Sequence, residues 1–135
     1  MKLLIDANIL LDVLMKREPH YSDSALIWKL CETEQVEGYV SALTIANLMY
    51  IMRKELTPEA IEDVLKKLSL IFRITELTPQ DIKKAAEMKW HDFEDSIQSV
   101  TAERIHADAI ITRNIRDYCH SKITAYTPTE YLARI

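Results

Sequence analysis

The sequence predicts an α/β fold in three layers, with helices on both faces of a mainly parallel central sheet. Short runs of β-branched or aliphatic residues alternate with longer segments of helical period, and strands that alternate with helices form parallel sheets. Thr-Pro pairs mark the alternation at 57–58, 78–79 and 127–128. Threonine caps the first free N–H groups of a helix and proline suits its first turn, so each pair predicts a helix start.

The elements follow in order along the chain. Five β-branched or aliphatic runs predict strands, at 2–5 (KLLI), 37–41 (EGYVS), 70–75 (LIFRIT), 108–112 (DAIIT) and 122–126 (KITAY). Six segments with helical spacing of apolar residues predict helices, at 9–15, 22–34, 43–54, 58–68, 79–88 and 93–106. Glu130, three residues after Thr127, fits a capping box and strengthens the last helix start.

Length and composition narrow the class of protein. A chain of 135 residues is expected to form one domain over 1–135, large enough for a real core. No apolar run approaches the roughly 20 residues of a membrane span, and the N-terminus lacks a signal-peptide pattern. We therefore expect a cytoplasmic protein with no membrane association. Cys31 and Cys119 are far apart and belong to no CxxC motif, which argues against a disulfide scaffold or a structural zinc site.

Charge and glycine content exclude further classes. The net charge of -4 excludes nucleic-acid binding by bulk positive charge, although a local basic patch remains compatible with it. P-loops and GxGxxG turns need several glycines, and Gly38 is the only glycine. The four histidines show no HExxH or similar spacing. Any metal ion must therefore be held by oxygen atoms.

Polar side chains follow two of the predicted strands. Asp6 comes directly after the first strand, while Thr112 ends the strand at 108–112 and is followed by Asn114 and Asp117. Ligands bind at the carboxyl ends of parallel strands, so these residues are expected at one edge of the sheet. The alternative is that Asp6 only caps the next helix.

A third group of acids opens the helix at 93–106. Asp92, Glu94 and Asp95 crowd its start, where acidic residues also stabilise the helix dipole without any further role. Asp95 is the candidate, because it lies just inside the helix that leads to the strand ending at Thr112.

Together, Asp6, Asp95 and Asp117 predict a metal site. Carboxylates gathered in one pocket repel each other, and one would be driven towards protonation unless a cation neutralised them. Mg²⁺ and Mn²⁺ prefer such oxygen ligands. An ion there could acidify an attacking water and stabilise charge on a phosphodiester, which is metal-dependent hydrolysis.

Four segments of the sequence, taken together, resemble a known family. Four segments occur in the order found in PIN-domain ribonucleases, and look most like VapC-type toxins: LLIDANILLD, SALTIANLMYIMRK, DFEDSIQSVTA and IITRNIRDY. The resemblance covers essentially the whole chain. It implies a Mg²⁺- or Mn²⁺-dependent endoribonuclease acting on RNA, usually a homodimer, held inactive by an antitoxin protein.

The resemblance also assigns residues. The family's first Asp falls on Asp6, supported by Asn8, and the acid that opens the later helix falls on Asp95, with Asp92 in reserve. Further site positions fall on Thr112, Asn114 and Asp117. Most members have a glutamate in the central helix, where this chain has Asn47. An amide can still orient a water but brings no charge, so metal binding should be weaker.

Two other functions stay open. Asn47 is what a non-catalytic RNA- or protein-binding module would show. A phosphohydrolase phosphorylated on Asp6 is disfavoured, because Asn8 does not supply the second Asp that such enzymes have. Cationic residues near the pocket either hold RNA phosphates or pair with neighbouring acids: Arg53, Lys54, Arg113 and Arg116.

Overall fold

A five-stranded parallel sheet forms the centre of the computed structural model, which describes residues 1–135. Its strands lie in the order β3-β2-β1-β4-β5, and every neighbouring pair is parallel. The bounds are β1 Lys2–Ile5, β2 Glu37–Ser41, β3 Arg73–Thr75, β4 Ala109–Ile111 and β5 Ala125–Tyr126. The predicted α/β/α fold class is confirmed.

Seven α-helices and one short 3₁₀ helix cover this sheet. The α-helices are α1 Ala7–Leu14, α2 Tyr21–Glu32, α3 Ala42–Ile51, α4 Pro58–Ile71, α5 Pro79–Met88, α6 Phe93–Arg104 and α7 Pro128–Leu132, and the 3₁₀ helix is Ile115–Tyr118. All three Thr-Pro pairs begin helices, and each threonine side chain accepts a backbone N–H of the first turn. None of the helices is long and apolar enough to span a membrane.

The central strand β1 packs against a core on both faces. Leu3 and Ile5 belong to the largest apolar cluster, while Leu4 on the opposite face joins a second cluster with Ile110 and Tyr118. All three β1 residues are fully buried. Because β1 and β4 are parallel neighbours, the polar residues that follow them lie together at the carboxyl edge of the sheet.

Several predicted boundaries are wrong. The strand expected over 70–75 begins only at Arg73, because α4 continues through Ile71 and Leu70 is 88% exposed on it. The last strand begins at Ala125 instead of 122. Helix α3 ends at Ile51 instead of 54, and α1 begins at Ala7 because the Asp6 side chain caps it. The 3₁₀ helix was not predicted.

The packing of α5 against α6 includes a buried ion pair that should be important for stability. Asp81 is 2% exposed, and its carboxylate accepts Arg104 Nε at 3.0 Å and the backbone N–H of Thr78 at 3.0 Å. Burial raises the pKa of Asp81, but the bonds from Arg104 and Thr78 outweigh it and hold that pKa below its ordinary value. The stabilisation is therefore present above pH 3.8 and is lost as pH falls through the lowered pKa.

Replacing Arg104 with alanine should lower the free energy of unfolding by about 2–4 kcal/mol, because a buried carboxylate loses its partner. Urea unfolding at pH 7 measures the change. Lys84→Ala is the matched control, since Lys84 pairs with Glu103 on the surface and its loss should cost less than about 1 kcal/mol. Equal effects of the two substitutions would contradict the expectation.

Candidate active site

Asp6 and Thr112 meet because β1 and β4 are paired in register. Ile5 lies beside Ile111, so the next residue of each strand reaches the same edge. Thr112 Oγ1 donates to Asp6 Oδ2 at 2.8 Å, and the backbone N–H of Ala7 donates to Asp6 Oδ1 at 2.8 Å. Asp6 therefore caps α1 with one oxygen and contacts the neighbouring strand end with the other.

Asn8 connects this pair to the turn after β4. Its Nδ2 lies 3.4 Å from Asp6 Oδ2 and 3.3 Å from Thr112 Oγ1, and its Oδ1 accepts the backbone N–H of Arg113. The backbone N–H of Asn114 donates to Thr112 Oγ1 at 3.1 Å. The exposed Asn114 side chain makes no hydrogen bond and lines neither of the two cavities described below. Asn114 thus supports Thr112 through its backbone.

A cavity of about 290 Å³, here called the acidic cavity, opens beside Asp6. Its walls come from the start of α1, from α3 and from the first turns of α6. The lining residues are Asp6, Ala7, Leu43, Thr44, Asn47, Tyr50, Ile51, Glu94, Asp95 and Gln98. The structure therefore brings Asp6, Asn47 and Asp95 to one cavity.

Glu94 is a candidate that sequence reasoning left as a helix-dipole acid. Asn47 Nδ2 donates to Glu94 Oε2 at 3.1 Å, and both residues line the acidic cavity. A carboxylate thus stands beside the amide of the central helix. The sequence carries one sign of this placement. Glu94 and Gln98 are four residues apart, so they lie on the same side of α6, and both line the acidic cavity.

The backbone and the side chain of Asp95 are each held by a hydrogen bond. Its backbone N–H donates to Asp92 Oδ1 at 3.1 Å, so Asp92 is the N-cap of α6. Tyr118 in the 3₁₀ helix is 3% exposed, and its hydroxyl donates to Asp95 Oδ1 at 3.2 Å. Burial raises the pKa of Tyr118, and the nearby carboxylates of Asp6, Asp95 and Asp117 raise it further. The phenol therefore stays protonated and acts as a donor. Tyr118 was also missed from the sequence.

The carboxylates repel one another. Burial, followed by the charges of Asp92, Asp6 and Asp117, raises the pKa of Asp95 to about 7. Burial also raises the pKa of Asp6; hydrogen bonds from Thr112 and Ala7 oppose the rise, and the charges of Asp117 and Asp92 add to it. Asp117, although exposed, thus lies near enough to act on both other aspartates.

The three aspartates do not close on a single point. The structure contains no group of three or more His, Cys, Asp or Glu side chains arranged to hold one metal ion. Asp6 and Asp95 line the acidic cavity, whereas Asp117 lines a second cavity that shares only Asp95 with it. The three carboxylates that could bind a metal ion are therefore divided between two adjoining cavities at the edge of the sheet.

A family model described as PIN domain matches residues 2–116. The chain belongs to the PIN domain family. No curated protein matches the sequence.

Solved structures share the fold of this PIN domain. A toxin–antitoxin complex from Klebsiella pneumoniae has a chain that is 21% identical, with a TM-score of 0.71, covering 93% of this chain and 97% of that one. VapBC2 from Rickettsia felis, bound to a promoter DNA fragment, gives 15% identity, a TM-score of 0.73, and coverages of 94% and 98%. VapC20 from Mycobacterium tuberculosis, a sarcin-ricin loop cleaving toxin, is 10% identical, with a TM-score of 0.63, covering 80% of this chain and 86% of that one.

The cationic side chains near the site of this PIN domain differ in their partners. Arg113 Nε donates to Asp12 Oδ2 at 2.9 Å, and Asp12 is fully buried, so the pairing interpretation holds for Arg113. Arg53 stacks on Tyr50, with its Cζ 3.9 Å from the ring centroid. Lys54 and Arg116 make no ion pair within 4.0 Å.

Proposed function

We propose that this PIN domain is a divalent-metal-dependent endoribonuclease and the toxin of a toxin–antitoxin pair. The observation that carries the nuclease proposal is the acidic cavity at the carboxyl ends of β1 and β4, where burial and the charges of Asp92 and Asp6 raise the pKa of Asp95. Such mutual repulsion is unfavourable in the folded protein unless a cation relieves it. A site of this kind is typical of functional centres.

The donor set fits Mg²⁺ or Mn²⁺. All candidate ligands are oxygen atoms, and Mg²⁺ is commonly held by one or two carboxylates, several waters and substrate phosphate oxygens, so a closed three-acid cluster is not required. Asp6 and Asp95 would hold the ion directly, with Asp117 and Glu94 acting at its periphery. A bound ion would acidify the attacking water and stabilise the charge on the phosphodiester.

The surrounding residues fix the orientation of these carboxylates. Thr112 donates to one Asp6 oxygen, and the backbone N–H of Ala7 donates to the other. Tyr118 orients Asp95. Asn47 orients Glu94. Groups held in this way lose little freedom when substrate binds, which favours reaction. We infer that Asn47 positions an acid from α6 where most family members carry the acid on the central helix itself.

RNA as substrate and an antitoxin as partner are supported by the structural relatives. One is described as a sarcin-ricin loop cleaving toxin and another as part of a toxin–antitoxin complex. We further propose a homodimer, supported by large apolar side chains that remain exposed on α2 and α4. These are Leu26, Leu65 and Leu70.

Single-stranded RNA and DNA oligonucleotides of the same length and sequence test the proposed substrate. With Mn²⁺, the purified protein should cut the RNA and leave the DNA intact. Expression of the wild-type protein, but not of Asp6→Asn, should arrest growth. Failure of a folded preparation to cut RNA would contradict the nuclease proposal, and cutting of DNA alone would contradict the ribonuclease proposal.

Glu94→Gln should lower the rate of RNA cleavage by about 10-fold or more, because it removes a charge from the acidic cavity while preserving side-chain size. Initial rates at saturating RNA and Mn²⁺ measure the effect. Glu87→Gln is the control: Glu87 is exposed on α5 and makes no ion pair. An unchanged rate in Glu94→Gln would remove Glu94 from the site.

A non-catalytic binding module is the second candidate function. Asn47 in the central helix and the lack of a closed three-acid group favour it. Such a module would bind RNA or protein without metal-dependent turnover. Under this alternative, Asn47→Glu is the substitution expected to create activity, whereas in the nuclease it adds a fourth acid to the acidic cavity and should not increase the rate.

A further inference from the structure

A second cavity, of about 530 Å³ and here called the cationic cavity, adjoins the acidic cavity and shares Asp95 with it. Lys89 and Arg116 line it, together with His91 and His120, and Asp92 and Asp117 lie in the same wall. The acidic cavity has no lysine, arginine or histidine in its lining. Lys89 and Arg116 are therefore the only lysine and arginine that line either cavity, and the cationic cavity is named for them although three aspartates line it as well.

The two cations of this cavity have no protein partner. Neither Lys89 nor Arg116 makes an ion pair within 4.0 Å, although three aspartates line the same cavity. Arg113 and Arg104, by contrast, pair with the buried carboxylates Asp12 and Asp81. Lys89 and Arg116 are therefore available to a ligand. Arg113, three residues before Arg116, is not available, because it pairs with Asp12.

The walls that carry these cations are joined by an aromatic contact. Lys89 ends α5 in a left-handed conformation with φ 56°, and the next residue, Trp90, packs edge-on against Tyr118 with ring centroids 6.4 Å apart. Tyr118 in turn donates to Asp95, and Arg116 lies two residues before it in the 3₁₀ helix. The backbones that carry Lys89 and Arg116 are thus fixed relative to Asp95.

We propose that the cationic cavity is a phosphate subsite for single-stranded RNA, in which Lys89 and Arg116 hold the backbone phosphate next to the one that is cleaved. The inference rests on the proposed nuclease function. A protein of net charge -4 with several acids at its centre repels a polyanion, so local cations must position the strand. Lysine supplies a point charge and arginine a planar fork, and both suit phosphate oxygens.

The two cavities also give the nucleotides on the two sides of the cleaved bond different surroundings. A phosphate in the cationic cavity places the scissile phosphodiester beside Asp95, and the following nucleotide then enters the acidic cavity. There it meets the 65% exposed Tyr50 and the apolar side chains of Leu43 and Ile51. Exposed tyrosine rings are surfaces on which unpaired bases stack. One side of the cleavage point is therefore read by charge and the other by apolar contact.

Binding of a fluorescein-labelled single-stranded oligouridylate to the full-length protein in EDTA, followed by fluorescence anisotropy, tests the subsite. The double variant Lys89→Ala/Arg116→Ala should raise Kd by at least about 10-fold. It should also reduce the slope of log K against log salt by about 0.7, the value for one phosphate contact on a single strand. In Mn²⁺, the same variant should raise KM with kcat within about 3-fold, because ground-state binding is what it loses.

Lys29→Ala/Lys83→Ala is the matched control, since it removes two exposed and unpaired cations of α2 and α5 that line neither cavity. The proposal is overturned if Lys89→Ala/Arg116→Ala binds as the wild type does, if the control loses as much affinity, or if the folded wild type binds no RNA. Cleavage by the double variant with an unchanged KM for RNA overturns the subsite alone. RNA binding that depends on Lys89 and Arg116, without cleavage in any metal, overturns the nuclease proposal and leaves these two residues as a phosphate-binding site of a binding module.

Discussion

Replacing Asp6 with asparagine should lower the rate of RNA cleavage by about 10²-fold or more, which is typical when one charged group is removed from a preorganised site. Asparagine has nearly the same shape, and its oxygen can still accept the hydroxyl of Thr112, which now lies 2.8 Å from Asp6 Oδ2. The substitution therefore removes the negative charge with little change in packing, although its amide nitrogen cannot accept the backbone N–H of Ala7 that now donates to Asp6 Oδ1. Initial rates of cleavage in Mn²⁺, with increasing enzyme, measure the loss.

Asp63→Asn is the control for Asp6→Asn. Asp63 is an exposed acid on α4 that lines neither cavity, so its substitution removes one charge away from the site and should leave the rate unchanged. Both variants should unfold in a single transition, which shows that the preparations are folded. Cleavage by a clean Asp6→Asn preparation at the wild-type rate would remove Asp6 from the mechanism.

Asp95→Asn should have two opposite effects, lowering cleavage by a similar factor and raising the stability of the metal-free protein. In the folded state the pKa of Asp95 is raised from 3.8 to about 7. The folded protein therefore binds this proton more tightly than the unfolded chain, and the resulting stability, complete below pH 3.8, is lost as pH rises towards about 7. Asparagine carries no charge and avoids this loss.

The gain should be about 1–2 kcal/mol at pH 7.5 in EDTA. A shift of this size corresponds to at most about 4 kcal/mol at 1.36 kcal/mol per pH unit, and solvent screening of the partly exposed Asp95 reduces it. Urea unfolding at pH 5 and at pH 7.5 measures the gain. The wild type should be more stable at pH 5, the variant should show a smaller difference, and Mn²⁺ should stabilise the wild type more than the variant. A variant less stable than the wild type at pH 7.5 would contradict the repulsion between the aspartates.

The parts of the fold that depend on short sequence patterns could be predicted from the sequence. Thr-Pro pairs fix helix starts through the threonine cap and the proline φ angle, and the helix over Pro79–Met88 was predicted to the residue. The run at 70–75 misled because apolar and β-branched residues suit a strand as well as a helix end. There the N–H of Phe72 bonds to the carbonyl of Leu68 and keeps Leu70 and Ile71 in α4.

Contacts between distant segments could not be predicted. Asn47 and Glu94 meet only because α3 and α6 border the same cavity, and Tyr118 reaches Asp95 only because residues 115–118 fold into a 3₁₀ helix. Arg113 and Arg116 look alike in the sequence. They differ because Asp12, 101 residues before Arg113, is buried beside one of them. Side-chain roles of this kind depend on packing, which a single sequence does not encode locally.

Cleavage of a mixed RNA pool by one preparation, followed through removal and return of the metal ion, tests the central claim most directly. The protein should cut RNA in Mn²⁺, stop when EDTA is added, and regain its original rate when excess Mn²⁺ is restored, while Asp6→Asn should stay about 10²-fold slower or more in Mn²⁺. Cleavage that continues in EDTA would contradict a metal-dependent site at the acidic cavity. No cleavage in Mn²⁺ or Mg²⁺ by the folded wild-type protein would contradict the nuclease itself and leave the binding module as the function.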